Sequence, residues 1–256
     1  MNIYCTMVRD CMPWLANNIY QVLRFKNPED KILIVENNSV DGSKEFLYDL
    51  HLAKNSRRRY MDDYENEIIV IGEEVDLPKF GQKPLKERAD YLAGLRNSYL
   101  DFIKNNFEIE RLIVFDSDLW DLDVRSWNKL FTDYTATCAN GLITIVVGNI
   151  RHQIYYDTWA YLSLDKDFVH GVKNPVPLMQ PPGLVEVRSA FGGVACYIWD
   201  EIKDCRYSFF DLKKLHENGK PMTLGEHGGF NSDIRSKGGK VMIQTECIPH
   251  NMRFPL

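Results

Sequence analysis

Two aspartates stand one residue apart directly after an apolar stretch, and their chemistry is that of a cation site. The stretch Arg111–Phe115 leads into Asp116-Ser117-Asp118. Carboxylate oxygens suit a hard cation such as Mg²⁺ or Mn²⁺. Since alternate residues of an extended chain point to the same side, both carboxylates can face one ion or its bound waters. Asp-x-Asp also occurs in ordinary loops and helix caps, and its position after a buried strand is what favours metal binding.

A second cluster of short hydrogen-bonding side chains follows the apolar run Lys31–Glu36. Glu36, Asn37, Asn38 and Asp41 stand at the end of this run, before Gly42. Such side chains can read the edge of a nucleobase or a ribose hydroxyl. The same residue types are typical of a turn followed by a helix N-cap. Both interpretations can hold together, with Ser39 or Asp41 capping the next helix while Glu36 and Asn37 face a ligand.

The elements that position these clusters alternate between strands and helices. Apolar runs at 2–8, 31–36, 67–71 and 111–115 predict strands, and apolar residues spaced by three or four predict helices at 13–25, 44–52 and 85–102. This alternation predicts an α/β fold with a parallel sheet, right-handed crossovers and ligands at the carboxyl edge. After Asp118 we predict a short helix at 124–131, strands at 142–147 and 194–199, and an irregular segment at 149–187.

Composition narrows the class of protein. A chain of 256 residues with 45% hydrophobic residues can form one large domain around a continuous core. The 31 basic and 36 acidic residues leave a net charge of −5, which argues against a nucleic-acid partner. A small phosphorylated ligand is compatible with this balance, because it needs only a local cation.

Hydropathy and cysteine usage suggest a compartment. The sequence contains no run of 18 apolar residues that would predict a transmembrane segment, and residues 1–10 are too polar for a secretory signal. The six cysteines are scattered and form no Cys-x-x-Cys pair, which predicts reduced thiols instead of disulfides or a zinc site. We therefore expect a soluble, cytoplasmic protein.

The two clusters together resemble a known family. Val35-Glu36-Asn37-Asn38-Ser39, followed by Asp41-Gly42-Ser43, and Phe115-Asp116-Ser117-Asp118 resemble GT-A glycosyltransferases. More narrowly, they resemble the capsule-associated α-1,3-mannosyltransferase family and related viral and bacterial enzymes. Further matching segments occur in family order at 88–97, 155–160, 189–197 and 226–231. The ordered set covers most of the chain.

The resemblance implies a fold and a reaction. It implies a single GT-A domain over residues 1–256, with a mostly parallel central sheet flanked by helices. Residues 1–122 would form the nucleotide-sugar half, and residues 123–256 the acceptor half. The implied activity moves a sugar from a UDP- or GDP-sugar to a hydroxyl of a glycan acceptor, with Mn²⁺ or Mg²⁺ bound.

The resemblance also assigns roles to single residues. Asp116 and Asp118 match the metal-binding motif, and His250 matches a C-terminal histidine that often supplies another metal ligand. Glu226 matches the general base of inverting enzymes; in a retaining enzyme it would orient the acceptor or stabilise the oxocarbenium-like centre. His227 could contribute to the site or serve as a hydrogen-bonding scaffold, and His250 could also belong to a frayed tail.

A larger set would contact the nucleotide-sugar. Arg96 falls where such enzymes place a basic residue near the nucleotide, although a salt bridge on a helix surface is the alternative. Gly192 and Gly193 fall in a segment that lines the donor sugar and acceptor, although they could simply form a tight turn. The candidate donor contacts are Thr6, Arg9, Glu36, Asn37, Asn38, Asp41, Arg96, Ser117, Gly192 and Gly193.

An aromatic group in the second half has two interpretations. Aromatic faces commonly stack on sugar rings and could form an acceptor platform, and they also commonly fill a core. The residues concerned are Tyr155, Tyr156, Trp159, Tyr161 and Phe168.

Three other classes of protein compete with a glycosyltransferase. A sugar-phosphate nucleotidyltransferase would carry a glycine-rich basic loop after strand one, where this chain has Thr6-Met7-Val8-Arg9-Asp10. A dinucleotide-binding dehydrogenase would carry Gly-x-Gly-x-x-Gly at the same place. A catalytically inactive carbohydrate-binding module would be expected to have lost Asp116, Asp118, Glu226 or His250, and all four are present.

Overall fold

A computed structural model describes residues 1–52, 67–72, 86–147, 150–157, 159–164, 181–215 and 221–252. Phe168 of the aromatic group lies outside these ranges. The strands are β1 (Asn2–Val8), β2 (Lys31–Glu36), β3 (Ile68–Gly72), β4 (Arg111–Phe115), β5 (Ala136–Ala139), β6 (Leu142–Val147), β7 (Ile150–Tyr155), β8 (Leu162–Ser163), β9 (Leu184–Ser189), β10 (Val194–Ile198), β11 (Phe210–Leu215), β12 (Pro221–Leu224), β13 (Val241–Gln244) and β14 (His250–Met252). The α-helices are α1 (Trp14–Phe25), α2 (Ser43–Leu52), α3 (Lys86–Asn106), α4 (Trp199–Ile202) and α5 (Glu226–Ser236), and Val124–Leu130 forms a 3₁₀ helix.

The main sheet has nine strands in the order β3-β2-β1-β4-β10-β5-β13-β9-β8. The first four pair in parallel, as the alternation of strands and helices predicts. β10 and β9 are antiparallel to both of their neighbours, so the other seven strands share one direction. The predicted α/β fold with a mostly parallel central sheet is therefore confirmed. Strands from both halves of the chain belong to this sheet.

The register aligns the ends of the strands that carry the two polar clusters. Val8 pairs with Glu36 between β1 and β2. Cys5 pairs with Val114 between β1 and β4, two residues before Asp116. Because parallel strands deliver their carboxyl ends to one edge, the residues that follow β1, β2 and β4 meet there.

Both faces of this parallel part are covered by helices. On one face Cys5, Leu33 and Val114 pack in a cluster that includes Tyr99 and Leu100 of α3. On the other face the alternate residues of the same strands pack against α1 and the 3₁₀ helix, in a cluster that includes Tyr4, Ile32, Ile113, Leu15, Ile19 and Trp127. Full burial of one leucine or isoleucine side chain in these clusters stabilises the fold by about 1.5–3 kcal/mol. This burial on both sides explains why these strands are continuous apolar runs in the sequence.

The second half is more regular than the sequence indicates. The prediction of an irregular segment at 149–187 is wrong for β7, β8 and the first part of β9. β7 pairs with β6 as an antiparallel hairpin, and β14 completes a separate three-stranded sheet. β7 contains Arg151, His152 and Gln153 in succession, and β8 has two residues. Neither segment has the apolar run or the strict alternation by which a strand is recognised.

The cysteines match the sequence-based expectation. All six are free thiols, and all six are buried. Among the helices that the structure describes, none combines the length and the apolar composition needed to cross a lipid bilayer.

Gly192 lies in the turn before β10, and we expect its replacement by alanine to destabilise the fold. Its φ is 66°, and an added Cβ would lie 2.0 Å from the carbonyl oxygen of Ala139 in β5. Gly192→Ala is therefore expected to lower the free energy of unfolding by about 3 kcal/mol or more, measured by urea denaturation. Gly94→Ala is the matched control, because Gly94 is exposed in α3 with no atom within 4 Å of its added Cβ. This control should stabilise by about 0.5–1 kcal/mol, and equal effects of the two changes would contradict the packing argument.

Candidate active site

A cavity of about 730 Å³ opens at the carboxyl edge of β1, β2 and β4. This volume is within the range of small-molecule sites. Its other walls come from the first half of α3, the end of β7 with the following turn, Phe191, and the start of α5. Seven of the predicted site residues line it: Arg9, Asn37, Arg96, Asp116, Ser117, Asp118 and Glu226.

The polar cluster after β2 divides into structural and cavity-facing residues. Glu36 accepts a hydrogen bond from the backbone N–H of Ser39 at 2.7 Å. Asp41 accepts the backbone N–H of Met12 at 2.8 Å and that of Ser43 at 3.0 Å, which links the loops after β1 and β2. The side chains of Glu36 and Asp41 therefore behave as expected for a turn followed by a helix N-cap.

Asn37 is the member of this cluster that lines the cavity. It is buried, and its backbone N–H donates to the carbonyl of Val8 at 2.9 Å. Its side-chain oxygen has no hydrogen-bond partner among the described residues. Since a buried polar atom without a partner is unfavourable, Asn37 is suited to bind a polar ligand group.

The segment after β4 is held in place by several hydrogen bonds. Asn18 of α1 donates to the carbonyls of Ser117 and Leu119, at 3.0 and 2.8 Å. The hydroxyl of Ser117 donates to the carbonyl of Met7 at 3.0 Å, so this side chain joins the loop after β4 to the end of β1. The backbone N–H of Asp116 donates to the carbonyl of Gly193 at 2.9 Å. The two aspartates are thus presented on a fixed backbone.

The carboxylates of Asp116 and Asp118 have different environments. Asp116 is half-buried and accepts a hydrogen bond from the Tyr156 hydroxyl at 3.1 Å, whereas Asp118 is exposed. Burial and then the charge of Asp118 raise the pKa of Asp116 well above its usual value, although Arg96 opposes this shift. A cation beside these carboxylates would relieve their mutual repulsion.

The donor chemistry fits a hard divalent cation. Asp116 and Asp118 offer carboxylate oxygens at the cavity. Within the described ranges, no group of three His, Cys, Asp or Glu side chains is arranged to hold a metal ion. The remaining ligands of a bound cation would then be water and oxygens of the ligand itself, which is typical of Mg²⁺ bound with phosphates.

His250 lies beside the segment that carries the aspartates. Its backbone exchanges two hydrogen bonds with Asp121, at 2.7 and 3.2 Å, three residues after Asp118. β14 also pairs with β6, where His250 stands opposite Leu142. This pairing brings the C-terminal histidine next to the loop after β4, outside the residues that line the cavity.

Arg96 and Glu226 form a buried ion pair in the wall of the cavity. Nε of Arg96 donates to Oε1 of Glu226 at 3.1 Å, and both residues are less than 10% exposed. The guanidinium lies over the rings of Phe191 and Tyr207, at 5.6 and 5.4 Å from their centroids. The salt bridge of Arg96 is therefore buried and does not lie on a helix surface, which was the alternative that the sequence offered.

His227 packs in the same group of rings. Its imidazole stacks on Phe191 at 3.8 Å between centroids, and its Nε2 is 3.9 Å from Oε1 of Glu226. Burial, together with the charge of Arg96, holds the pKa of His227 well below its usual value. The ring is therefore neutral at physiological pH.

The other predicted donor contacts lie away from the cavity lining. Thr6 is fully buried within β1, and its hydroxyl is 3.4 Å from the carbonyl of Met7. Asn38 takes a left-handed backbone conformation, with φ 52°. Gly192 and Gly193 have φ values of 66° and 83° and form the turn that supports Asp116.

The described members of the aromatic group divide between the core and the cavity lining. Tyr155 is buried and packs on Tyr161 at 5.5 Å between centroids. Trp159 is 37% exposed and lines the cavity, and Tyr156 binds Asp116. The core interpretation therefore applies to Tyr155, whereas Trp159 lies at the cavity.

Asp157 is the cavity residue that sequence reasoning missed. It lines the cavity, on a turn whose Trp159 carbonyl accepts the backbone N–H of Gly225, the residue before Glu226. Burial and then the charge of Glu226 raise the pKa of Asp157 to about 7, against the opposing effects of Arg96, the Ala160 N–H and Arg88. A carboxylate inside an aromatic segment is the signal that could have identified it.

The raised pKa of Asp157 predicts a dependence of stability on pH. Because the folded state holds this proton up to about pH 7 and the unfolded state releases it near pH 4, stability should fall as pH rises between these values. Asp157→Asn should reduce the difference in unfolding free energy between about pH 5 and pH 8 by roughly 1–2 kcal/mol. Denaturation of the variant and the wild type at both pH values, in the presence of a chelator, measures this difference in unfolding free energy. An equal difference in the two proteins would contradict the prediction. Asp116 contributes a slope of the same sign, so part of the dependence should remain.

Comparison with known proteins supports the fold. A scan of protein-family models and a search of curated proteins find no match. Among solved structures, GalNAc-T7 with UDP, GalNAc and Mn²⁺ matches with a TM-score of 0.57 at 14% identity, over 100% of this chain and 43% of that chain. S. aureus TarS 1-349 in complex with UDP-GlcNAc matches with a TM-score of 0.51 at 9% identity, over 100% of this chain and 59% of that chain.

The chain thus spans less than two thirds of the length of each of these two structures. At these identities the likeness concerns the fold. It shows that the chain has the GT-A type of fold that its sequence motifs predict.

Proposed function

We propose that this protein is a metal-dependent glycosyltransferase that moves a sugar from a nucleoside-diphosphate sugar to a hydroxyl of a glycan acceptor. The observation that carries the proposal is that one cavity in a GT-A fold holds Asp116 and Asp118 on one side and Glu226 on another. A divalent cation at the aspartates would stabilise the charge of the departing diphosphate.

The donor would occupy the edge formed by β1, β2 and β4. Asn37 presents a buried amide oxygen there, and Arg9 lies on the adjoining loop. The neighbours GalNAc-T7 and TarS 1-349 were crystallised with UDP and with UDP-GlcNAc. UDP-sugars are therefore the first donors to test, and GDP-mannose follows from the resemblance to the capsule-associated α-1,3-mannosyltransferases.

The acceptor would approach from the side of α5. Glu226 stands at the first position of α5, and its carboxylate lines the cavity. In the proposed step the acceptor oxygen bonds to the anomeric carbon as the bond from that carbon to the phosphate oxygen breaks. The acceptor proton passes to Glu226, and the bonding electron pair leaves with the diphosphate. Trp159 offers an exposed ring on which the acceptor sugar can stack.

Thermal unfolding with a panel of UDP- and GDP-sugars, with Mn²⁺ and with chelator, tests the proposal. A donor that binds only the folded state should raise the unfolding temperature in the presence of the cation. The same donor should be slowly hydrolysed, or transferred when a glycan is supplied. Absence of any cation-dependent shift or hydrolysis would support an inactive module, and turnover that requires a nucleoside triphosphate and a sugar phosphate would support a nucleotidyltransferase.

A further inference from the structure

The Arg96 side chain is held in place by its surroundings. Its Nε is bonded to Glu226 at 3.1 Å, and its guanidinium lies over the rings of Phe191 and Tyr207. Arg96 is 5% exposed. The orientation of the guanidinium is therefore set by one carboxylate and two aromatic rings, all of which belong to the protein.

The two rings are themselves anchored. Asn97, the next residue of α3, donates to the carbonyl of Tyr207 at 3.0 Å and accepts its N–H at 2.9 Å. The hydroxyl groups of Tyr99 and Tyr207 are 3.0 Å apart. Asn231 of α5 donates to the carbonyl of Ala190, next to Phe191, at 2.7 Å. These hydrogen bonds hold the two rings, and the rings hold the guanidinium of Arg96. Arg96 in turn restricts the position of the Glu226 carboxylate.

We propose that Arg96 is a positioning residue that holds the Glu226 carboxylate where it receives the acceptor proton, and that it does not bind the donor diphosphate. The inference rests on the proposed function, because it assigns a partner to the base of that reaction.

The alternative, that Arg96 binds the diphosphate, makes a different prediction. A phosphate ligand contributes to nucleotide affinity whether or not Glu226 carries a charge. A positioning residue acts through Glu226, so its effect disappears when Glu226 can no longer serve as a base.

A double-mutant cycle of Arg96→Met and Glu226→Gln separates the two roles. Transfer is measured as kcat, and binding of UDP or GDP with Mn²⁺ is measured by calorimetry. We expect Arg96→Met to lower kcat by about 10- to 100-fold while nucleotide affinity changes by less than about 2-fold. In the Glu226→Gln background, the same change should alter the residual kcat by less than about 2-fold. Arg96→Lys should retain part of kcat, because lysine keeps the positive charge but lacks the planar guanidinium with its fixed donor geometry.

Two features keep the test decisive. Arg96→Met leaves the buried charge of Glu226 unpaired, which can prevent this variant from folding. The double variant carries neither charge, so its kcat and nucleotide affinity can be compared with those of Glu226→Gln alone. Arg206→Met is the control, because Arg206 pairs with Asp101 at 2.7 Å on the surface and should leave kcat unchanged. Loss of nucleotide affinity by about 10-fold in either background would overturn the inference. A wild-type protein that binds no nucleotide with Mn²⁺ would instead overturn the proposed function.

Discussion

Asp118→Ala is expected to lower sugar transfer by at least about 100-fold while the fold remains intact. Asp118 is exposed at the cavity, between the two residues whose carbonyls Asn18 binds, so its side chain can be removed without loss of core packing. Without it a cation would lose one of two carboxylates, and charge on the departing diphosphate would be less well stabilised. Transfer rates and the Mn²⁺-dependent thermal shift with donor should both fall.

Asp133→Ala is a suitable control for this variant. Asp133 is an exposed carboxylate of the same type and lies outside the cavity lining. It should retain both transfer and the Mn²⁺-dependent shift. Full activity of Asp118→Ala that still requires the cation would remove Asp118 from the metal site.

Glu226→Gln is expected to lower kcat by about 10²- to 10⁴-fold and to preserve nucleotide affinity. Glutamine has nearly the same shape as glutamate and keeps an oxygen that can accept the Nε–H of Arg96. It cannot take a proton from the acceptor hydroxyl at neutral pH. The expected result is therefore a loss in the chemical step with little change in donor binding, measured by single-turnover transfer and calorimetry.

Glu186→Gln provides the matched comparison. Glu186 also pairs with an arginine, Arg235, at 3.3 Å, and it lies outside the cavity lining. The same change of charge at this ion pair should leave transfer unchanged. Equal activity of Glu226→Gln and the wild type, with donor binding intact, would exclude Glu226 as the base.

Both predictions depend on residues that the fold brings to one cavity from distant parts of the chain. Arg96 and Glu226 are 130 positions apart in the sequence. They meet because α3 packs on the same face of the sheet as α5, as the shared cluster of Tyr99 and Phe230 shows. A ligand between the two aspartates and Glu226 would therefore contact both halves of the chain.

The sequence alone determined the part of the fold that is buried on both faces. The predicted bounds of β1, β2 and β4 agree with the structure residue for residue. In each of these strands most interior residues are apolar because helices cover both sides, and such runs are visible without knowledge of the partners. The same logic placed Asp116 and Asp118 at a strand end that lines a cavity.

The short elements of the second half could not be predicted in this way. β8 has two residues, and β7 carries three polar residues in succession. β7 is held by its pairing with β6, which has the same length, and β8 is held by its pairing with the longer β9. Their stability comes from that pairing, so the local sequence contains little sign of it.

The residue types at the strand ends, and with them the chemistry that the chain can support, are visible in the amino-acid sequence. The partners of these residues follow from the folded structure: Arg96 is hydrogen-bonded to Glu226, the backbone of His250 pairs with Asp121, and the charge of Glu226 acts on Asp157. The spacing of apolar residues along a segment shows which side of that helix or strand is buried, and it depends on only a few neighbouring residues. Ion pairs and pKa shifts arise from groups that become neighbours only after the whole sheet is assembled, and the proposed reaction depends on these neighbours.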